Sequence, residues 1–313
     1  ASADSKASTR SFQARSPAPL SLGVNEMPRK QMTPGDWRKT IAEESKRFEE
    51  FTGRVRVDVS GGSASAVVWH RCLELFGADR VVPVFADTNS EDADLYRFLD
   101  DCETHFGQTL TRLNDGRNIW DVFDQTGIMR IAKAGNACKA SIELKQKPLA
   151  DHFKTSGCDA IAVGIEFQEP ERMERFQAKI AAPVLFPLAC RPLFSECEIH
   201  EEVKRLGLKP PEIYNEGYGH NNCAGRCILA GLGQWAANLR RDPAGFADAE
   251  SRESAFVNRT GFTILRDQRG GDVKPYTLKE LRADADSGRE FPNDWKSTCQ
   301  CMEPVLFSAD NCF

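Results

Sequence analysis

Two groups of residues in this 313-residue sequence have the types and spacing that chemistry needs. The first is Ser60-Gly-Gly-Ser-Ala-Ser65. Two adjacent glycines let the backbone approach a ligand closely, the free N–H groups of a helix that starts there attract phosphate, and Ser60 and Ser65 add hydroxyls. No Gly-Lys-Ser/Thr follows, so this is not a Walker loop. On its own it also reads as an ordinary glycine-rich strand-to-helix turn. The second group is cysteine, of which the chain has 11. Asn221-Asn-Cys-Ala-Gly-Arg-Cys227 carries two thiols with three residues between them, a spacing that can bend around one ion or the edge of a cluster. Cys299-Gln-Cys301 is a second close pair. Cys138 lies beside a basic stretch, Arg130, Lys133, Lys139, Lys145 and Lys147, which reads either as a solvated helix face or as a pocket for sulfate, phosphate or a nucleic-acid backbone. Four thiolates suit zinc as well as an iron–sulfur cluster. Cys72, Cys102 and Cys158 read as small buried hydrophobes, and His220 as a hydrogen-bonded or solvent-facing loop histidine.

These residues need elements to hold them. An odd number of unevenly spaced cysteines, in a chain long enough to bury its own core, argues against a secreted disulfide scaffold and for a reducing, cytoplasmic setting. With 41 Lys+Arg against 46 Asp+Glu the formal charge is −5, which gives no prior for nucleic acid or membrane, and no run is long enough to span a bilayer. Ala1–Gly35 is rich in Ser, Ala and Pro and is expected to be a disordered tail or an added segment outside the fold. From Asp36 an amphipathic helix is expected, then an alternating strand Arg54–Ser60, a helix Ala64–Phe76, a strand Val81–Ala86, a helix Glu91–Phe106, a short strand Thr109–Leu113 and a buried strand Ala160–Ile165 with a helix after it. Strands alternating with helices predict an α/β fold with a mainly parallel sheet covered on both faces, over residues 36–210. Ligands then bind beyond the carboxyl ends of the strands. Residues 211–313, with their Gly/Asn cluster and cysteines, are expected to form a smaller lobe laid over the sheet.

The strand ends carry further candidates. Ala86-Asp-Thr-Asn-Ser-Glu91 places a carboxylate where a base or ribose edge is read, unless Asp87 or Ser90 merely caps the next helix. Gly164-Ile165 is followed by Glu169 and Arg172, either a surface pair three residues apart or an anion-facing pair in the cleft.

Taken together, Ser-Gly-Gly-x-x-Ser, Ala-Asp-Thr-x-x-Glu and Gly-Ile-x-x-x-Glu-x-x-Arg resemble the PP-loop nucleotide-binding superfamily, and within it the phosphoadenosine-phosphosulfate (PAPS) reductase-like branch. Cys138 with Lys145 and Pro148-Leu149 resembles that branch's Cys-x₆-Lys-x-x-Pro-Leu pattern, and Pro187-Leu188, Gly207-Leu-Lys-Pro-Pro211 and Tyr214 fit its order of elements. The resemblance spans about Val55 to Cys301. It implies a five-stranded parallel sheet binding ATP or a related adenosine nucleotide, with Ser60, Gly61, Gly62, Ser63 and Ser65 on the phosphates and Asp87, Thr88 and Glu91 near adenosine. Gly164 and Glu169 complete the pocket, and Cys138, Lys145 and Arg172 take catalytic roles. It further implies a [4Fe–4S] cluster on Cys138, Cys223 and Cys227 with a fourth ligand from Cys299, Cys301 or Cys197, zinc being the alternative, and Mg²⁺ at the phosphates. The reaction classes implied are adenylation with pyrophosphate release and sulfur transfer, including thiolation of nucleic acid with a sulfur-donor protein as partner, or reduction of an activated sulfate to sulfite. A third is a non-catalytic nucleotide-binding role in a larger assembly. Two departures stand out. Ser63-Ala64 replaces the Lys-Asp of many PP-loops, which removes a positive charge from the phosphate site, and the Glu-Cys-Gly-Leu-His tail of thiol-type PAPS reductases is missing.

Overall fold

A computed structural model describes residues 34–132, 137–268 and 271–291. Helix α1 (Pro34–Glu49) leads into strand β1 (Val55–Val59), helix α2 (Ser63–Phe76), strand β2 (Val81–Ala86), helix α3 (Ala93–Phe106) and strand β3 (Thr111–Leu113). Helix α4 (Ile119–Thr126) and the short strands β4 (Arg130–Ile131) and β5 (Ala137–Cys138) follow. A helical run comes next, α5 (Lys139–Ser141), a π-turn over Ile142–Gln146, and α6 (Lys147–Thr155). Strand β6 (Ala160–Ala162), helix α7 (Pro170–Lys179), strand β7 (Val184–Leu185) and helix α8 (Glu196–Arg205) complete the α/β unit. Beyond it lie α9 (Leu232–Arg241), α10 (Pro243–Thr260), the antiparallel pair β8 (Leu265–Asp267) and β9 (Lys274–Tyr276), and α11 (Leu278–Asp286).

The main sheet has five parallel strands in the order β3-β2-β1-β6-β7. The chain steps outward from β1 to β2 and β3, then returns across to β6 and β7. The loops after β1 and β6 therefore part from each other, which opens the cleft where such sheets bind ligands. One face is sealed by α2 and its neighbours, with Trp69, Phe85, Phe98 and Leu95 all buried against Val55, Val57 and Val59.

Strand β1 is buried on both faces, as a doubly covered parallel sheet predicts. Its polar positions are buried too, because α6 and α7 cover the second face. Arg56 and Asp58 meet there as a bidentate pair, Nε to Oδ1 at 2.7 Å and Nη2 to Oδ2 at 3.0 Å, and Arg56 also donates to the Leu149 carbonyl. Burial raises the Asp58 carboxyl above its ordinary range, and the Arg56 guanidinium works against that shift. The start of α3 is fixed by Asp92, whose side chain accepts from the Asp94 N–H, a cap worth about 1 kcal/mol. The capping expectation for Asp87 or Ser90 is thereby corrected: the cap lies further along the chain.

A second core joins α4, β5 and the 142–146 turn to α9, α10 and α11, with Trp120, Phe123, Trp235, Phe246 and Phe256 packed together. No helix among the described residues is long and apolar enough to cross a membrane.

Candidate functional site

The loop after β1 is held open by its glycines. Gly61 has φ +80°, and a Cβ there would meet the Leu95 side chain at 2.5 Å. A Cβ on Gly62 would stand 2.6 Å from the Tyr214 hydroxyl. Ser65 Oγ accepts from the Ser60 N–H (3.1 Å) and donates to the Gly62 carbonyl (2.8 Å), cross-bracing the loop. Ser60 Oγ lies 3.2 Å from Ser65 Oγ. Helix α2 starts at Ser63 with no side-chain cap and no acid in its first turn. That leaves its first N–H groups and the positive end of its dipole facing the cleft. Gly164 lets β6 come close: a Cβ there would lie 3.3 Å from the Ser65 nitrogen. Between the two loops is a cavity of about 70 Å³ lined by Ser60, Ala64, Ser65, Gly164 and Arg172. A larger cavity of about 510 Å³ lies between α6 and α7 and shares Asp58, but its walls are mostly apolar. Hydroxyls, helix-start amides and a guanidinium converge at the small one, so that is where an anion fits.

Glu169 and Arg172 pair at 2.9 Å, three residues apart, and Arg172 lines the cavity. Glu166, whose N–H donates to Glu169, is pushed up to about 7 by burial and by the neighbouring Glu169 and Glu196, with Arg172 opposing. Nothing in the sequence pattern had singled it out. Asp87 accepts from the Tyr96 hydroxyl (2.7 Å), the Asn89 N–H (2.9 Å) and Asn114 Nδ2 (3.2 Å) at the end of β2.

Thr88 and Glu91 are placed differently from Asp87. Both are buried and turned toward the cysteine-bearing turn. Glu91 Oε1 accepts from Thr88 Oγ1 at 3.0 Å and from Lys145 Nζ at 3.0 Å, and Oε2 accepts from the Cys223 N–H. The π-turn, a device common at functional sites, carries Lys145 inward, where its Nζ also reaches Asn222 Oδ1 at 3.1 Å. His220 is buried with them. Its Nδ1 accepts from the Asn222 N–H at 3.4 Å, and burial together with Lys145 lowers its pKa to about 4.

The turn itself is unusual. Cys223, Ala224 and Gly225 have φ of 54°, 49° and 74°, three successive left-handed residues. For residues other than glycine that conformation costs about 1–2 kcal/mol each. The Glu91 contact holds one end, and at the other the Gly225 carbonyl accepts from Gln234 and Asn238 of α9, both at 2.6 Å. Asn221 Nδ2 donates to the Gly61 carbonyl at 3.1 Å, which ties this turn to the loop after β1. The Asn/Gly richness of 214–227 was the sequence signal for such a turn. The partners Asn221, Asn222, Gln234 and Asn238 were not foreseen.

The basic stretch is not an open anion pocket, and that reading is corrected. Lys139 and Lys147 both pair with Glu143 (2.7 and 2.9 Å), Lys145 with Glu91, and Arg130 donates to the carbonyls of Ile228 and Ile264. Nearby acids and main-chain carbonyls take up these charges. Lys133 lies outside the described residues. Cys138 and Cys227 are buried in one core, both beside the Arg130 guanidinium. Among the described residues no three Cys, His, Asp or Glu side chains come together as a metal site. Cys299 and Cys301 lie outside the described residues. The described thiols, two of them against a buried cation, do not by themselves fit a cluster or a zinc ion. Cys197 is exposed on α8, and Cys72, Cys102 and Cys158 are buried.

A doubly covered parallel sheet, with a glycine-braced loop at the point where the strand order reverses, defines the class: an α/β protein of the PP-loop type. The family model described as the phosphoadenosine phosphosulfate reductase domain matches residues 54–223, more than half of the chain, and the chain belongs to that family. An uncharacterized protein of Methanocaldococcus jannaschii is 25% identical over 181 residues, 56% of this chain and 36% of its own length. The chain thus spans about a third of that curated relative. The crystal structure of phosphoadenylyl-sulfate (PAPS) reductase from Candida auris, in its phosphate complex, aligns over 60% of this chain and 93% of that chain, with 12% identity and a TM-score of 0.41.

Proposed function

We propose that this protein is an enzyme that binds an adenosine nucleotide, with its phosphate end on Ser60–Ser65 and Arg172, and carries out sulfur chemistry at the turn that holds Cys223. The observation that carries this reading is the Asn221–Gly61 hydrogen bond at 3.1 Å. It joins the anion loop to the cysteine turn, so the nucleotide's phosphate end and Cys223 would stand on directly connected segments. In the leading form, an acceptor oxygen attacks the α-phosphorus of ATP and pyrophosphate leaves. A donor protein passes a sulfane sulfur to Cys223 as a persulfide. Its terminal sulfur attacks the adenylated carbon, the C–O bond breaks and AMP leaves. An external thiol then reduces the Cys223–S–S–acceptor bond to free the thiolated product. Lys145, buried beside Glu91 and Asn222, orients that turn.

A second reading, reduction of an adenylated sulfate to sulfite, is favoured by the loop's lack of any charged residue, a poor cradle for a triphosphate. One experiment separates the two. Purified protein is incubated with ATP, or with PAPS plus a thiol reductant, and pyrophosphate and sulfite are measured. Pyrophosphate release that depends on an acceptor supports the first form, and sulfite release the second. ATP bound and recovered unchanged, with PAPS also untouched, points to a non-catalytic role and sinks both.

A further inference from the structure

Removing the lysine from a phosphate loop raises a physical question: what supplies the charge instead? Residues 60–65 contain no cation, and Arg172, which lines the cavity, is held by Glu169 at 2.9 Å. Glu166 and Glu169 lie close to Arg172, and Asp58 lines the cavity itself. An incoming phosphate would face several carboxylates against one guanidinium.

The position that lost the lysine is Ser63, the buried first residue of α2. Its Oγ lies 2.9 Å from Nδ1 of His200, on α8 and 137 residues further along the chain. The His200 ring also packs on the Tyr214 ring, centroids 4.5 Å apart, and the Tyr214 hydroxyl overhangs Gly62. An imidazole is thus locked against the phosphate loop by an aromatic ring on one side and a loop hydroxyl on the other.

We propose that His200 is the loop's cation: a binding residue for the phosphate or phosphosulfate end of the nucleotide, acting through Ser63 and charged only when an anion is bound. The inference rests on the nucleotide reading of the loop. Its mechanism follows from hydrogen-bond direction. With His200 neutral and Nδ1 accepting, the Ser63 proton is drawn toward the ring. Once His200 is protonated, Nδ1–H donates to Ser63 Oγ, and the Ser63 O–H is released to donate to an anion at the start of α2. One proton therefore adds a positive charge and also turns a hydroxyl toward the ligand.

The surroundings fit a group that is neutral until the anion arrives. On α2 it faces the Ser63 hydroxyl, on the 212–216 turn the Tyr214 ring, and on its own helix Glu196, Glu201 and Lys204. Burial lowers its pKa, Lys204 adds to this, and the two glutamates oppose it. A bound phosphate would reverse that balance, so binding takes up a proton. Glu166, near Arg172, is the competing source of proton uptake.

The test is calorimetric titration of ATP and of adenosine 3′,5′-bisphosphate between pH 6 and 8, in buffers of different ionisation heat. The proteins are wild type, His200→Gln, Ser63→Lys and Glu166→Gln, each checked for folding by circular dichroism. Comparison with His200→Gln cancels the ligand's own titration. The ratio of wild-type to His200→Gln affinity is expected to rise by about tenfold from pH 8 to pH 6, as one coupled proton allows. Proton uptake should be smaller in His200→Gln and retained in Glu166→Gln. Ser63→Lys should bind at pH 8 as tightly as wild type binds at pH 6. Equal affinity and proton uptake in wild type and His200→Gln, with nucleotide still bound, overturns the role of His200 alone. No binding by any of the four proteins at any pH overturns the nucleotide reading as well.

Discussion

Glu91 and Lys145, 54 residues apart in the chain, form an ion pair at 3.0 Å in which neither side chain is more than 3% exposed. The pair links the loop after β2 to the π-turn ahead of α6. Through the second oxygen of Glu91 it also holds the amide of Cys223 in its left-handed turn. Neither charge faces solvent, so each is tolerable only because the other is there.

Breaking the pair should therefore be costly. Lys145→Met leaves a buried carboxylate uncompensated and is expected to destabilise the fold by about 3–5 kcal/mol. Adding Glu91→Leu should recover part of that loss. Urea unfolding of wild type, both single variants and the double variant gives the coupling energy, and a coupling near zero would refute the pairing.

Two groups should give stability opposite slopes with pH. His220 is held down at about 4, against an ordinary 6.5, so between those values the unfolded chain binds a proton the fold does not. Stability from this group is lost as pH falls through that window. Glu166 is held up at about 7, against 4.5, so in that range the fold keeps a proton the unfolded chain has released, and stability is lost as pH rises. His220→Asn, which keeps an acceptor for the Asn222 N–H, should flatten the acid limb. Glu166→Gln should flatten the slope up to about pH 7 and stabilise the protein above it. Unfolding midpoints from pH 4 to 8 check both, and unchanged profiles would discount these shifts.

Gly61→Ala and Gly164→Ala should separate stability from binding. A methyl on Gly61 collides with Leu95 at 2.5 Å in a backbone already at φ +80°, so a loss of about 1–3 kcal/mol is expected. A methyl on Gly164 presses on the first turn of α2 at 3.3 Å, a milder contact, and should weaken ATP binding more than it lowers the melting temperature. Equal effects of the two variants on both readouts would argue against the cavity as the anion site.

Cysteine reactivity should follow burial and charge. Cys197 is exposed. Burial pushes the thiols of Cys102 and Cys190 up to about 12, and that of Cys72 higher still. Among the described cysteines, iodoacetamide at pH 8 should label Cys197 first, and Cys72, Cys102 and Cys190 only after denaturation, as read by peptide mass spectrometry. Early labelling of Cys72 would contradict its place in the core. On the proposed function, Cys223→Ser should abolish sulfur product and leave ATP binding intact in the same titrations.

What was legible in the chain alone is local. Val81–Ala86 and the helix to Phe76 follow from short apolar runs and helical spacing, and the phosphate loop from two adjacent glycines after a strand, because each depends on neighbours within a few residues. The five-strand parallel sheet and the family came from several such motifs in order. Strand β7, two residues long, has too few side chains to show a period. Alternation marks Arg56 and Asp58 as one polar face of the strand, but not that they pair with each other beneath the covering helices. The basic stretch looked open because a charge run does not show which acids lie across from it. The same limit hid His200: its partner Ser63 is 137 residues away, and only the packing of α8 on α2 brings imidazole and hydroxyl to 2.9 Å. The sequence by itself determined which residue types stand at each strand end. The tertiary structure decided which of those charges are paired with each other and which face the cleft, because burial and opposite charge act through space and not along the chain.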